Sequence, residues 1–181
     1  MAKPLSPIEI TKAFPFKPLK KVGVGEGHAV NPLGLSFKWK ITGAESGYAF
    51  AVYEMSIEPG TGIPEHVHPY AEFFYVLHGD IEVRGRDEHG VSTRTPLSAG
   101  ESAVVPTNSP HGLHNVSGSP AKFLSVATFE HEEAFNRIEV AMREAGADNL
   151  PQSEQAELFI SLAADMQVHF IDTTAEQRAS T

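Results

Sequence analysis

Gly60-Thr61-Gly62-Ile63-Pro64-Glu65-His66-Val67-His68-Pro69-Tyr70-Ala71-Glu72, running on to Gly79, is the stretch on which the fold turns. It sets two histidines two residues apart and a glutamate four residues after the second. Imidazole and carboxylate are the ligand types that hold a divalent first-row transition metal. On a strand, residues i and i+2 share a face, so His66 and His68 point the same way. Pro69 cannot donate to a central ladder and ends that strand or opens a corner. Glu72 then begins Phe73-Phe74-Tyr75-Val76-Leu77, a run of strand composition. A two-strand corner can therefore aim His66, His68 and Glu72 at one point.

A fourth ligand type lies downstream, in Gly100-Glu101-Ser102-Ala103-Val104-Val105-Pro106-Thr107-Asn108-Ser109-Pro110-His111-Gly112-Leu113-His114-Asn115. The first stretch reads G-x5-H-x-H-x3-E-x6-G and the second G-x5-P-x4-H-x3-N. Together they resemble the two motifs of the cupin superfamily, and the match spans roughly the middle third of the chain. The resemblance implies that the metal ligands are His66, His68, Glu72 and His111. It departs at Asn108, where the family usually has Gly; Asn tolerates positive φ next best, so the turn is expected to be kept. Of the other histidines, His28, His89, His131 and His169 lie outside both motifs and are expected to be ordinary polar residues. His78 should be solvated before the Gly79-Asp80 turn. His114, three residues from His111 on a strand, should face away from it.

Outward from the motifs the chain reads as short strands. Leu35, Phe37, Trp39 and Ile41 alternate with polar residues, and Tyr48 to Ile57 is a second strand. Runs near Ile81–Arg84, Ser92–Leu97, Ser102–Val105, Gly112–Val116 and Lys122–Phe129 follow, parted by Gly-, Asn- and Pro-rich turns. No helical pattern interrupts them, which implies an all-β sandwich or barrel. The cupin resemblance sharpens this to a small jelly-roll barrel. After residue 130 the period changes: Phe135, Ile138, Met142 and Ala145 mark an amphipathic helix stopped by Gly146. A second helix is expected from Pro151, with Leu158, Phe159, Leu162 and Met166 as its stripe. The expected layout is an extended arm over 1–31, the barrel over 32–130, a helical pair and short apolar segment over 131–171, and a polar tail over 172–181. The arm's prolines forbid a long helix; Ile8, Ile10, Phe14 and Phe16 could lie along a sheet edge. Gly23, Gly25 and Gly27 have no strand before and no helix after, so they do not read as a phosphate loop. The helical pair is expected to seal one barrel end or pack on a sheet, with a lid as the sharper reading.

The 181 residues are 41% hydrophobic and 20% charged, which suits one globular domain with appendages. A net charge of −9 argues against nucleic acid as a partner. With no cysteine there is no disulfide, thiolate metal site or cysteine nucleophile. No apolar run approaches 18 residues and no signal-peptide pattern opens the chain, so no membrane partner and a cytoplasmic location are expected. A homodimer formed through sheet edges is expected.

Three neutral imidazoles and a carboxylate would leave a divalent ion a net charge near +1. An octahedral ion would keep two open positions, as reactive sites do. Iron, manganese, nickel, cobalt, zinc and copper all suit this set, which is similar to the facial triad of non-haem iron oxygenases with one imidazole added. The walls are expected from Phe50, Val52, Phe74, Val76, Val104 and Leu113, enclosing a small-molecule substrate that chelates through oxygen. Glu72 is the candidate catalytic base. Glu65 and Glu101 are read as solvated or supporting. The layout also resembles bacterial monocupins of the quercetin-dioxygenase-like group. That resemblance implies a metal-dependent dioxygenase acting on an aromatic or enol-bearing, quercetin-like molecule. A non-redox isomerase or lyase, and a non-catalytic binder, stand as alternatives.

Overall fold

Period-two alternation through the middle of the chain becomes antiparallel strands whose inner residues are buried. A computed structural model describes residues 3–13, 17–31 and 36–172. Its strands are β1 (His28–Val30), β2 (Ser36–Ile41), β3 (Ala51–Ile57), β4 (Gly62–Val67), β5 (Glu72–His78), β6 (Asp80–Arg86), β7 (Ser92–Ser98), β8 (Ser102–Val105), β9 (His111–His114), β10 (Ala121–Ala127) and β11 (His169–Phe170). Six form one sheet in the order β1-β2-β3-β10-β5-β8, and five form the other in the order β11-β4-β9-β6-β7. This is the all-β architecture the strands and turns called for, in the double-sheet jelly-roll form that the cupin resemblance implied.

The core lies between the sheets. Ala51, Tyr53, Met55 and Ile57 of β3 and Phe123 of β10 are buried, as are Phe74 and Val76 of β5. Ile81, Leu97 and Leu113 close on them from the other sheet. Burying each large side chain contributes about 1.5–3 kcal/mol. Two close approaches depend on glycine. A Cβ on Gly62 would fall 2.1 Å from the Leu113 carbonyl oxygen, and one on Gly112 would fall 2.8 Å from that of Ile63. The β4–β9 pair can form at this spacing only without those side chains. Asn108 has φ 61°, so it does hold the left-handed turn.

The ends depart from expectation. Residues 1–31 are not uniformly extended: α1 (Pro7–Ala13) is a helix, and β1 joins the six-stranded sheet. Ser6 and Glu9 form a reciprocal cap, with the Ser6 N–H donating to Glu9 Oε2 at 2.8 Å and the Glu9 N–H to Ser6 Oγ at 3.3 Å. Pro7 sits at the first helical position, where its missing N–H costs nothing. Prolines excluded a long helix, but Ser-Pro-x-Glu starts a short one. Phe14, Phe16, Leu35 and the tail beyond Asp172 lie outside the described residues.

The C-terminal helices are α2 (Phe129–Glu144) and α3 (Gln152–Asp165). Gly146 has φ 69° just past α2, and Pro151 precedes α3, as expected. Helix α2 starts at Phe129, so the expected boundary at 130/131 falls inside its first turn. Ile138, Phe159, Ala163 and Val168 make a second apolar cluster, packed with Tyr70 and Phe170. The short apolar segment is a strand: His169 pairs with Val67 and Phe170 with His66. It extends the five-stranded sheet beside the histidine-bearing strand.

Candidate metal centre and cavity

The first motif draws its ligand types from both sheets, and the second adds one from the sheet that holds His66. His66 lies on β4 and His111 on β9, directly opposite in register. His68 follows β4, and its carbonyl accepts the Asn108 N–H at 2.8 Å, so the turn of the second motif is tied to the first. Glu72 opens β5 in the facing sheet, paired with Ala127 and Val105. All four side chains are buried. The imidazole centroids of His66 and His111 are 4.3 Å apart, and those of His68 and His111 are 4.8 Å apart. The ligand atoms of His66, His68 and His111 all lie within 4.8 Å of one another. Glu72 Oε2 stands 3.2 Å from His111 Nε2 and 3.4 Å from His68 Nε2. The structure thus brings His66, His68 and His111 together with Glu72 beside two of them, and two overlapping buried groups, His66/His68/His111 and His68/Glu72/His131, could hold a metal ion.

Hydrogen bonding assigns the ring tautomers. Nδ1 of His66 faces the Pro64 carbonyl at 2.8 Å, Nδ1 of His68 that of Tyr70 at 3.0 Å, and Nδ1 of His111 that of Ser109 at 2.9 Å. A carbonyl only accepts, so each Nδ1 carries the hydrogen, and in the neutral ring Nε2 offers a lone pair. Nε2 of His111 and Nε2 of His68 stand 3.2 and 3.4 Å from Glu72 Oε2, in one buried space. His68 Nε2 is buried without any hydrogen-bond partner. Lone pairs converging in a dry site call for a cation, so the residues fit a divalent metal.

Charge is arranged to match. Burial first, then the neighbouring His111 imidazole, pushes His66 down to about 3, so this ring is neutral at pH 7. Burial alone would raise the Glu72 carboxyl; the surrounding imidazoles, His131 ahead of His111 and His68, outweigh it and hold the group well below the usual range. Glu72 Oε1 accepts the Tyr53 hydroxyl at 2.9 Å and the Ser125 hydroxyl at 3.4 Å. Burial and the Glu72 charge push the Tyr53 phenol well above its ordinary value, so it stays a donor.

The arrangement contains a histidine that sequence reasoning set aside. His131, in the first turn of α2, is buried, with Nε2 3.5 Å from Glu72 Oε1. The ligand atoms of His68, Glu72 and His131 also lie within 4.8 Å of one another. Burial pushes His131 down to about 4 despite the opposing pull of Glu72. Its spacing from the motifs carries no signal. It arrives because Ala127 pairs with Glu72 and the chain turns into helix directly afterwards. His28, His78, His89 and His169 are exposed, and His114 is half-buried outside the cluster. Glu65 is not solvated: it is buried, and Arg86 grips it from Nε at 2.6 Å and Nη2 at 3.2 Å. Glu101 is exposed and caps its turn by accepting the Ser98 N–H at 2.7 Å.

A cavity of about 440 Å³ opens beside this cluster. None of the six expected wall residues lines it. Phe74, Val76 and Leu113 are core, Phe50 and Val104 are exposed, and Val52 is half-buried. The face of β3 that turns inward carries Ala51, Tyr53, Met55 and Ile57, while Val52 shares the outer face with Glu54 and Ser56. The walls are instead Phe37, Met55, Ile63, Phe135, Ile138 and Phe159, with His66, His131 and Tyr53 among the lining residues. Helices α2 and α3 therefore form one side of the cavity.

A family model described as "Cupin domain" matches residues 53–127, which span β3 to β10 and all four motif ligand types. Over residues 53–127 the barrel matches the cupin domain. The chain is 35% identical over 83 residues to a curated relative, "Polyketide synthase CurC" of Streptomyces cyaneus. The match takes in 45% of this chain and 49% of CurC, so the chain spans about half the length of that relative. Among solved structures, the polyketide cyclase RemF from Streptomyces resistomycificus superposes with a TM-score of 0.50 at 23% identity, over 62% of this chain and 80% of RemF. A cupin 2 domain-containing protein from Halorhodospira halophila gives a TM-score of 0.47 at 18% identity, over 52% and 64% of the two chains. At 23% identity the likeness to RemF is one of fold alone. Among the described residues, no helix is long and apolar enough to cross a membrane.

Proposed function

We propose that this protein binds one divalent transition ion through His66, His68, Glu72 and His111 and acts on an aromatic or enol-bearing small molecule held in the adjoining cavity. The observation that carries the reading is three buried imidazoles whose ligand atoms lie within 4.8 Å of one another, each Nδ1 tied to a backbone carbonyl, with Glu72 Oε2 beside His68 and His111. When bound, the ion supplies Lewis acidity toward a substrate oxygen. Backbone carbonyls of Pro64, Tyr70 and Ser109 hold the rings, and Tyr53 and Ser125 orient Glu72. The helices and β11 exclude water and supply hydrocarbon walls that suit an aromatic or polyketone skeleton.

Non-redox ring closure is the reading we favour, because the matched relative and the superposed structure are named for polyketide chemistry. In such a closure a proton leaves the carbon beside one carbonyl, and that carbon bonds to a second carbonyl carbon. The oxygen there takes up a proton, and water is lost afterwards; no oxidant is consumed. Glu72 is a candidate to receive the proton. Its Oε1 is occupied by hydroxyl donors, so this role would run through Oε2. Oxygenolytic cleavage of an enol, the dioxygenase reading, is the second possibility. The three-imidazole, one-carboxylate set with open positions favours it.

One experiment separates the two. Protein of measured metal content is given heptane-2,4,6-trione, which closes to 5-methylresorcinol with loss of water, and separately quercetin, under air with an oxygen electrode. Resorcinol formation without oxygen uptake supports ring closure; oxygen uptake with quercetin supports the dioxygenase. Failure of the protein to retain any transition ion would sink both.

A further inference from the structure

The polar groups at the cavity are unequal. His66 lines it but belongs to the candidate metal group, and the Tyr53 hydroxyl is spent on Glu72. His131 also lines the cavity, and its Nδ1 is buried with no hydrogen-bond partner. Its other nitrogen, Nε2, faces Glu72 Oε1 at 3.5 Å. A carboxylate only accepts, so the hydrogen of the neutral ring belongs on Nε2, which leaves Nδ1 as an acceptor. The ring is held from several sides: Tyr53 stacks on it with centroids 6.2 Å apart, and Phe135 and His68 lie at 4.9 and 5.2 Å. A fixed, buried, unused acceptor in an apolar wall is costly unless something donates to it.

We propose that His131 is a specificity-determining residue whose Nδ1 accepts a hydrogen bond from a phenolic or enolic hydroxyl of the substrate. The inference deepens the proposed function in one respect: it names a donor the substrate must carry. The chemistry is that of selection by an unsatisfied partner. A ligand with the hydroxyl pairs Nδ1, whereas one with an ether in its place leaves it bare. Because the His131 and His68 rings are neighbours, a hydroxyl on Nδ1 also brings the substrate's oxygen-bearing end to the candidate metal centre.

The test uses two probes, 2-naphthol and 2-methoxynaphthalene, titrated calorimetrically into the full chain with its metal and again after chelation. Wild-type protein should bind 2-naphthol at least about tenfold more tightly. H131F should erase the preference while leaving metal content unchanged, and H131N, which restores an acceptor near the Nδ1 position, should recover part of it. A preference that survives H131F overturns the proposal, and so does wild-type protein that binds neither probe or both equally, as when a buried water already pairs Nδ1. A fall in metal content on H131F would overturn it as well, by making His131 a ligand. Loss of metal with the naphthol preference intact in wild-type protein would instead refute the metal centre and leave this inference standing.

Discussion

Replacing Tyr53 with Phe removes one hydroxyl and leaves the ring packed against Phe37, Trp39 and Phe123. That hydroxyl donates to Glu72 Oε1 at 2.9 Å in a fully buried setting. What remains on Oε1 is the Ser125 hydroxyl at 3.4 Å and His131 Nε2 at 3.5 Å, both too long to compensate. A hydrogen bond to a charged group is worth about 1.5–3 kcal/mol, and here the anion would be left partly bare in the interior. The expected loss is therefore about 2 kcal/mol in urea unfolding with m unchanged, or on the order of 5 °C in Tm. Glu72 would also lose the contact that fixes its rotation, so metal affinity should fall about 10–100-fold. Competition against a chromophoric chelator reads the affinity, and Y53F should retain the wild-type far-UV spectrum. Metal affinity within about threefold of wild type, together with unchanged stability, would refute the claim that Tyr53 orients the carboxylate.

Four further outcomes follow from the same geometry. His111→Ala should cost orders of magnitude in metal affinity, measured by elemental analysis after dialysis, and chelation of wild-type protein should lower its Tm by mass action. Gly62→Ala places a Cβ 2.1 Å from the Leu113 carbonyl oxygen, so β4 and β9 must separate; we expect a loss of about 3 kcal/mol or more in denaturant unfolding, or no soluble protein. Arg86→Ala would strand the buried Glu65 carboxylate and should destabilise by about 3 kcal/mol, whereas the double change Arg86→Leu with Glu65→Leu should recover most of that; a double-mutant cycle decides it.

The barrel and its four candidate ligands were legible in sequence because strand periodicity and motif spacing are local. His66 and His68 share a face by the geometry of one strand, and Asn108 keeps its turn because few residues other than Gly tolerate positive φ. The helix after residue 128 and its stop at Gly146 were legible for the same reason. Other features were not. Ser6, Pro7 and Glu9 are a local signal for α1 that the prolines around them masked. The cavity walls were not legible either, because they come largely from β2, β3, α2 and α3, which are distant in sequence and meet only in the fold. Glu65 reads as a surface acid until β6 brings Arg86 alongside it.

By itself, then, the order of residues determined which side chains can act as ligands, the strand-and-turn grammar that forms a jelly roll, and the exclusion of thiolate chemistry. Only the tertiary structure decided that Tyr53 and Ser125 orient Glu72, that α2 carries His131 into the cluster, and that α3 and β11 wall the cavity. The physical reason is range. Periodicity and turn preference act between residues a few positions apart, whereas burial, pairing register and charge depend on which distant segments the fold presses together.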